Sequence, residues 1–135
     1  MGRPVFNADE ELTLLERVLQ LHGDFRRSLD PIRVTPFQAG VLLFLRRYLD
    51  ARVTDVATAL RVRTPTLSEV VNDLVRKRWL TKRRSVTDTR VVHLQLSRRG
   101  TALTGQIEQR VAQVNATLAE PDRRTLGMVQ KGNRV

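Results

Sequence analysis

Apolar residues in the first part of the chain recur at helical spacing rather than in alternation. Residues 9–29 carry Leu12, Leu15 and Leu19 on one stripe, and Leu14, Val18, Leu21 and Phe25 on a second that adjoins it. The period predicts a long helix, and its two stripes are wider than one packing contact needs. Such a helix is expected to meet both its own domain and a partner chain. Leu29 to Val34 reads as a turn, and Thr35-Pro36 then supplies an N-cap and a proline at the first helical position. The helix it opens is expected to bury Phe37, Val41, Phe44 and Tyr48. Gly40 lies inside it at a cost of about 1 kcal/mol against alanine, which suggests close approach by another backbone.

After the polar break at Asp50 to Arg52, two short helical patterns follow. The first covers Thr54 to Leu60, with Val56, Ala57 and Leu60 apolar; the second opens at Thr64-Pro65, again cap then proline, and buries Leu67, Val70, Val71 and Leu74. Only Arg61, Val62 and Arg63 separate them, the arrangement of a helix-turn-helix. The period then changes to two. Trp79–Arg84 and Arg90–Ser97 read as strands, the second alternating Val92, Leu94 and Leu96 with Val91, His93 and Gln95. Ser85 to Thr89 is the hairpin loop between them. Ser97 caps a helix running to about Ala119 with Leu103, Ile107, Val111, Val114 and Leu118 as its stripe. Glu120-Pro121-Asp122 breaks it before a short last helix carrying Leu126 and Val129. The fold class is mainly α with a small β-hairpin wing: one domain over 1–135, with a winged helix-turn-helix at 35–97 between terminal helices at 1–30 and 98–135.

The 135 residues suit one domain, and their apolar content supports a packed core. Without cysteine there is no disulfide framework and no thiol nucleophile. The longest apolar run, Val41 to Leu45, is far too short for a bilayer. No signal-peptide pattern opens the chain, so a soluble, cytoplasmic protein is expected. The net charge of +10 is unevenly placed. Residues 1–60 carry eight basic and eight acidic side chains, whereas residues 61–100 carry eleven basic against three acidic. A basic excess confined to one stretch marks a polyanion site. A general arginine bias would spread evenly.

Catalytic motifs are missing: G-x-S-x-G, H-E-x-x-H and G-x-G-x-x-G do not occur. Gly100 to Gly105 has phosphate-loop glycine spacing, but Gln106 replaces the lysine that chemistry needs. No enzyme, metal site or cofactor is expected. Double-stranded DNA is the expected partner. In the second short helix Thr66, Ser68, Glu69 and Asn72 form the polar face, preceded by Arg61, Arg63 and Thr64. Hydroxyls can serve phosphates, asparagine can read adenine, and Glu69 either accepts from cytosine or holds an arginine. Around the wing stand Arg83, Arg84 and Arg90. Asp88 would repel phosphate if free, so its expected role is to pair with a wing arginine. His22, Phe25, Phe37, Phe44 and Tyr48 are candidates for a small-molecule site, although core packing explains the aromatics equally well. His93 faces outward from its strand and carries no expected role.

From the first helix to the last, the chain resembles the MarR family of bacterial winged-helix transcription factors. The strongest signature is Asp88-Thr89-Arg90, then the apolar strand, then Leu96-Ser97-Arg98-Arg99-Gly100. It is similar to the family's wing pattern of Asp-x-Arg followed by Leu-Ser/Thr-x-x-Gly. Leu80-Thr81-Lys82-Arg83-Arg84 and Thr35-Pro36-Phe37-Gln38 are similar too. The resemblance implies a homodimer joined through the terminal helices, a pseudo-palindromic operator, repression, release by a small molecule, and Arg90 reaching the minor groove. Arg78 stands where many relatives carry glycine; if left-handed it costs about 1 kcal/mol. On charge and pattern alone, two alternatives remain: a non-specific or architectural nucleic-acid binder, and a protein-interaction winged helix.

Overall fold

A computed structural model describes residues 7–118, with side chains from Thr13 onward. Among them are α1 (Asn7–Leu29), α2 (Pro36–Arg47), α3 (Val53–Leu60), α4 (Thr64–Arg76), strands β1 (Leu80–Arg84) and β2 (Val92–Leu96), and α5 (Arg98–Asn115). A single 3-10 turn, Asp30–Ile32, links α1 to α2. The expected last helix, with Leu126 and Val129, lies outside the described residues, as does the side chain of Leu12. No described helix is long and apolar enough to cross a membrane.

Local chemistry sets the element ends. Thr35 accepts from the Gln38 N–H at 3.1 Å while the Gln38 carboxamide accepts from the Thr35 N–H at 3.1 Å, a reciprocal cap that starts α2. Ser97 starts α5 by accepting from the Gly100 N–H at 3.0 Å. The start of α4 differs from expectation by one residue. Arg63 is its N-cap and makes no side-chain cap bond, which puts Thr64 and Pro65 in the first turn. Proline fits there because the first-turn N–H groups have no helical partner. Helix α5 closes at Asn115, short of Ala119. There the Thr117 and Leu118 N–H groups bond three residues back, to Val114 and Asn115, which tightens the chain into a turn.

The core is aliphatic. Val41, Leu42 and Leu45 of α2, Val56 of α3, Leu67, Val71 and Leu74 of α4, Leu80 and Leu94 of the hairpin, and Ile107 of α5 are all essentially inaccessible. This corrects the expected face of α2. Of the four residues expected there only Val41 is fully buried; Phe37 and Phe44 pack at the edge, and Tyr48 is 49% exposed. Tyr48 instead stacks on Phe44, ring centres 4.7 Å apart, with the Arg47 guanidinium 5.2 Å above its ring. The expectation for Gly40 also fails, since a methyl group there would meet nothing within 4 Å among the described residues. Close approach occurs at Gly100, where a Cβ would collide with the Trp79 carbonyl. Arg78 is left-handed, at φ 66°. It ends α4 by donating to Val75, while the Trp79 N–H reaches back to Leu74 at 3.0 Å.

The inner side of α1 offers Leu21, Phe25 and Leu29 to the body. Arg110 of α5 donates to the Ser28 carbonyl at 2.8 Å and so ties the two helices together. The outer side presents Leu14, Leu15, Val18 and Leu19, exposed by 45–60%.

Candidate nucleic-acid interface

The turn between α3 and α4 is closed by Arg61, left-handed at φ 59°, whose N–H donates to Thr58 while that of Val62 returns to Ala57. This closure is compact and leaves the Arg61 and Arg63 side chains in solvent, with no partner among the described residues. Helix α4 buries Leu67, Val71 and Leu74 and half-buries Val70. Its opposite face carries Thr66, Glu69 and Asn72, all exposed, with Ser68 at the margin.

Five of the expected site residues border two clefts. Thr64 and Ser68 meet Arg90 of the wing across a cleft of about 220 Å³, completed by Arg52, Val53, Thr54, Val91 and Val92. Glu69 and Asn72 border a separate, open cleft of about 450 Å³ with Gln38, Asp73 and Arg76. Asp73 is internally satisfied there: Arg76 donates at 2.9 Å and the Gln38 amide at 3.4 Å. Asn72 is already engaged, because Lys82 of β1 donates to its carbonyl oxygen at 2.9 Å.

The hairpin pairs Leu80 with Leu96, Lys82 with Leu94 and Arg84 with Val92, so these side chains share the face toward α4 and the core. Thr81, Arg83, His93 and Gln95 occupy the other face. The loop is held from within. Ser85 Oγ accepts from the N–H groups of Thr87 and Asp88, each at 3.3 Å, and the Val91 N–H donates to the Asp88 carbonyl. Arg84 donates to the Thr89 carbonyl at 2.8 Å. Asp88 takes the Arg90 guanidinium through Nε at 3.1 Å and Nη2 at 3.2 Å, and the Arg90 backbone N–H at 3.0 Å. These bonds, the guanidinium first, hold the Asp88 carboxyl below the usual carboxylate range. Arg52 does the same to Asp55 at the start of α3, and its own pKa rises in return.

Arg83 does not join the loop. It points to the other side of the hairpin and pairs with Asp50 at 2.8 Å. His93 also departs from expectation. Far from idle, it is partly buried and its Nδ1 lies 3.0 Å from the Asp50 carbonyl, which makes Nδ1 the donor. Sequence reasoning missed Lys82, Arg52 and Asp50. Strand alternation places Lys82 on the α4 side with Leu80, and the three-residue spacing of Arg52 and Asp55 is that of a helix start; for Asp50 no local signal exists. The five small-molecule candidates lie along α1 and α2, with Tyr48 at the C-cap of the latter. His22 is exposed on α1, Phe25, Phe37 and Phe44 pack around the core, and Tyr48 is the exposed partner of Phe44. The two clefts beside α4, one between α1 and α5 and one between α2 and α5 include none of the five.

Residues 33–91 match the family described as MarR family. The fold as a whole is that of solved winged-helix regulators. The transcriptional repressor CouR, bound to a 23-mer DNA duplex, aligns over 98% of this chain and 100% of its own at 25% identity and a TM-score of 0.79. BpsR of Bordetella bronchiseptica, in a structure concerned with regulation of its DNA binding by 6-hydroxynicotinic acid, aligns over 99% of both chains at 20% identity and a TM-score of 0.81. The PcaV transcriptional regulator of Streptomyces coelicolor, in complex with its natural ligand, covers 96% of this chain and 95% of its own at 23% identity and 0.74. No curated protein sequence matches the chain.

Proposed function

We propose that the protein, whose residues 33–91 match the MarR family, is a homodimeric, sequence-specific transcriptional regulator, a cytoplasmic repressor of a pseudo-palindromic operator that responds to a small molecule. The observation that carries this reading is the pair of exposed guanidinium groups, Arg61 and Arg63, with no partner among the described residues, at the entry to α4 and beside an internally braced wing. In this reading α4 lies in the major groove. Arg61, Arg63, Thr64 and Ser68 serve phosphates, and Thr66, Glu69 and Asn72 face base edges. Arg90, aimed by Asp88 and flanked by Arg84, enters the minor groove, where width and potential are read. The outward leucines of α1 supply the contact between protomers. Small-molecule control is supported by the ligand-related structures of BpsR and PcaV.

Selection of bound sequences from random duplexes tests the reading. A palindromic consensus is expected, outcompeting random DNA by about 10³-fold or more, with log affinity falling by roughly 0.9 per neutralised phosphate as log salt rises. Parity between selected and random duplexes would replace the proposal with a non-specific binder, and no affinity at moderate salt with a protein-interaction module.

Asp88 gives a test whose sign is informative. Removing a carboxylate near phosphate should tighten binding by simple electrostatics. Because Asp88 holds Arg90 by three bonds, Asp88→Ala is expected instead to weaken binding to every duplex. Tighter binding by a variant with an unchanged circular dichroism spectrum would reduce the wing to a diffuse basic patch.

A further inference from the structure

We propose that Asp50 is the positioning residue of the wing, and that Arg83 serves Asp50 rather than a phosphate. Asp50 sits between α2 and α3 in a left-handed conformation, φ 60°, which aspartate tolerates better than most residues. Four bonds converge on it from the hairpin. Arg83 Nη2 donates to Oδ1 at 3.0 Å and Oδ2 at 2.8 Å, the Gln95 amide donates to Oδ1 at 3.4 Å, and His93 Nδ1 donates to the main-chain carbonyl at 3.0 Å. The next two residues extend the grip. The Leu94 N–H donates to the Ala51 carbonyl at 2.8 Å, and Arg52 bridges antiparallel to His93. Residues 50–52 thus act as a strap along β2.

The geometry explains why a two-stranded hairpin needs this strap. Its core-facing side is held by Leu80 and Leu94, both essentially inaccessible. Those apolar contacts sit at the base and middle and set depth, but they are non-directional and leave the hairpin's swing undetermined. On the other face Arg83 and His93 are cross-strand partners, and Asp50 accepts from both, so one residue fixes the orientation of both strands. Arg83, opposite Asp50, is neutralised within the protomer. Arg90, although paired with Asp88, keeps 89% of its side chain exposed against 51% for Arg83, and with Arg84, nearer the loop, it is the charge that the wing presents to solvent.

For its effect on DNA the inference rests on the function proposed above, so its test has a readout in the free protein. Asp50→Asn keeps the size and the left-handed tolerance while removing the charge. In hydrogen–deuterium exchange, the amides of residues 83–95, Leu94 included, should exchange faster in Asp50→Asn and Arg83→Ala than in the parent, while those of α4 stay unchanged. On a selected duplex both variants should bind about three- to tenfold more weakly, the scale of a charge-assisted pair between half-exposed groups. The double variant should be no worse than either single, and the salt slope should equal that of the parent. Parent-like exchange in Asp50→Asn overturns the inference. So does an Arg83→Ala protein whose salt slope falls by about 0.9 per protomer, the mark of a lost phosphate contact. Faster exchange in both variants, with no duplex bound by the parent, upholds the strap and removes the DNA reading.

Discussion

A protein carrying Leu15→Asp and Leu19→Asp is expected to sediment as a monomer at concentrations where the parent is a dimer. These side chains are 52% and 60% exposed on the outer face of α1, beside Leu14 and Val18 at 47% and 45%. Isolated surface leucines are ordinary, but four on one helix face form a patch that water covers poorly. In the proposed dimer they would be buried, and a carboxylate in such an interface must be desolvated without a partner. Binding to a palindrome should fall by about 10²- to 10⁴-fold, because the second half-site is no longer engaged within one assembly. Affinity for an isolated half-site should hardly move, which separates loss of pairing from loss of fold. A variant that stays dimeric would place the protomer contact elsewhere.

The second large effect concerns two glycines with opposite expected signs. Gly100→Ala drives a methyl group into the Trp79 carbonyl, and that carbonyl cannot retreat. It accepts from the Ser97 N–H at 3.0 Å, while the Trp79 N–H is held by Leu74 at 3.0 Å. A forced backbone shift in a packed region costs about 1–3 kcal/mol. Gly40→Ala meets open space within α2 and should gain up to about 1 kcal/mol in helix propensity. Urea unfolding of the two variants reads the difference directly. Equal midpoints would mean that the hairpin base yields where its hydrogen bonds say it cannot.

What was legible in the sequence was what is local. The cap-then-proline pairs, the three-residue turn between Leu60 and Thr64, and the alternation from Val91 to Leu96 each lie within a few residues. Each led to an element of the observed fold. That Asp88 pairs with a wing arginine follows from charge alone, and the structure identifies the arginine as Arg90, two residues on. The face of α2 was misjudged because Val41 to Leu45 is continuously apolar and satisfies several helical phases. Weight given to the aromatic residues selected the wrong one, whereas the buried positions belong to Ala39, Leu42 and Leu45 beside Val41. The ties between Lys82 and Asn72, and between Arg83 and Asp50, join residues 10 and 33 positions apart. No periodicity links such residues, because their meeting depends on how the hairpin lies against α4 and the α2–α3 strap.

Three corners of the chain share one construction. At Arg33, Arg61 and Arg78 a left-handed arginine donates three residues back, while the N–H of the next residue reaches five back, to Leu29, Ala57 and Leu74. Glycine is the usual occupant of such a position because it alone escapes the steric penalty. An arginine there lies at a helix end, where its charge favours the carbonyl pole, and its side chain remains in solvent. The sequence therefore holds charge at its corners in exchange for conformational ease. In evolutionary terms the corners at Arg33 and Arg78 are reversible positions, where glycine would ease the backbone and arginine adds to the field around the helix-turn-helix; at Arg61 the same exchange would also give up a proposed phosphate contact.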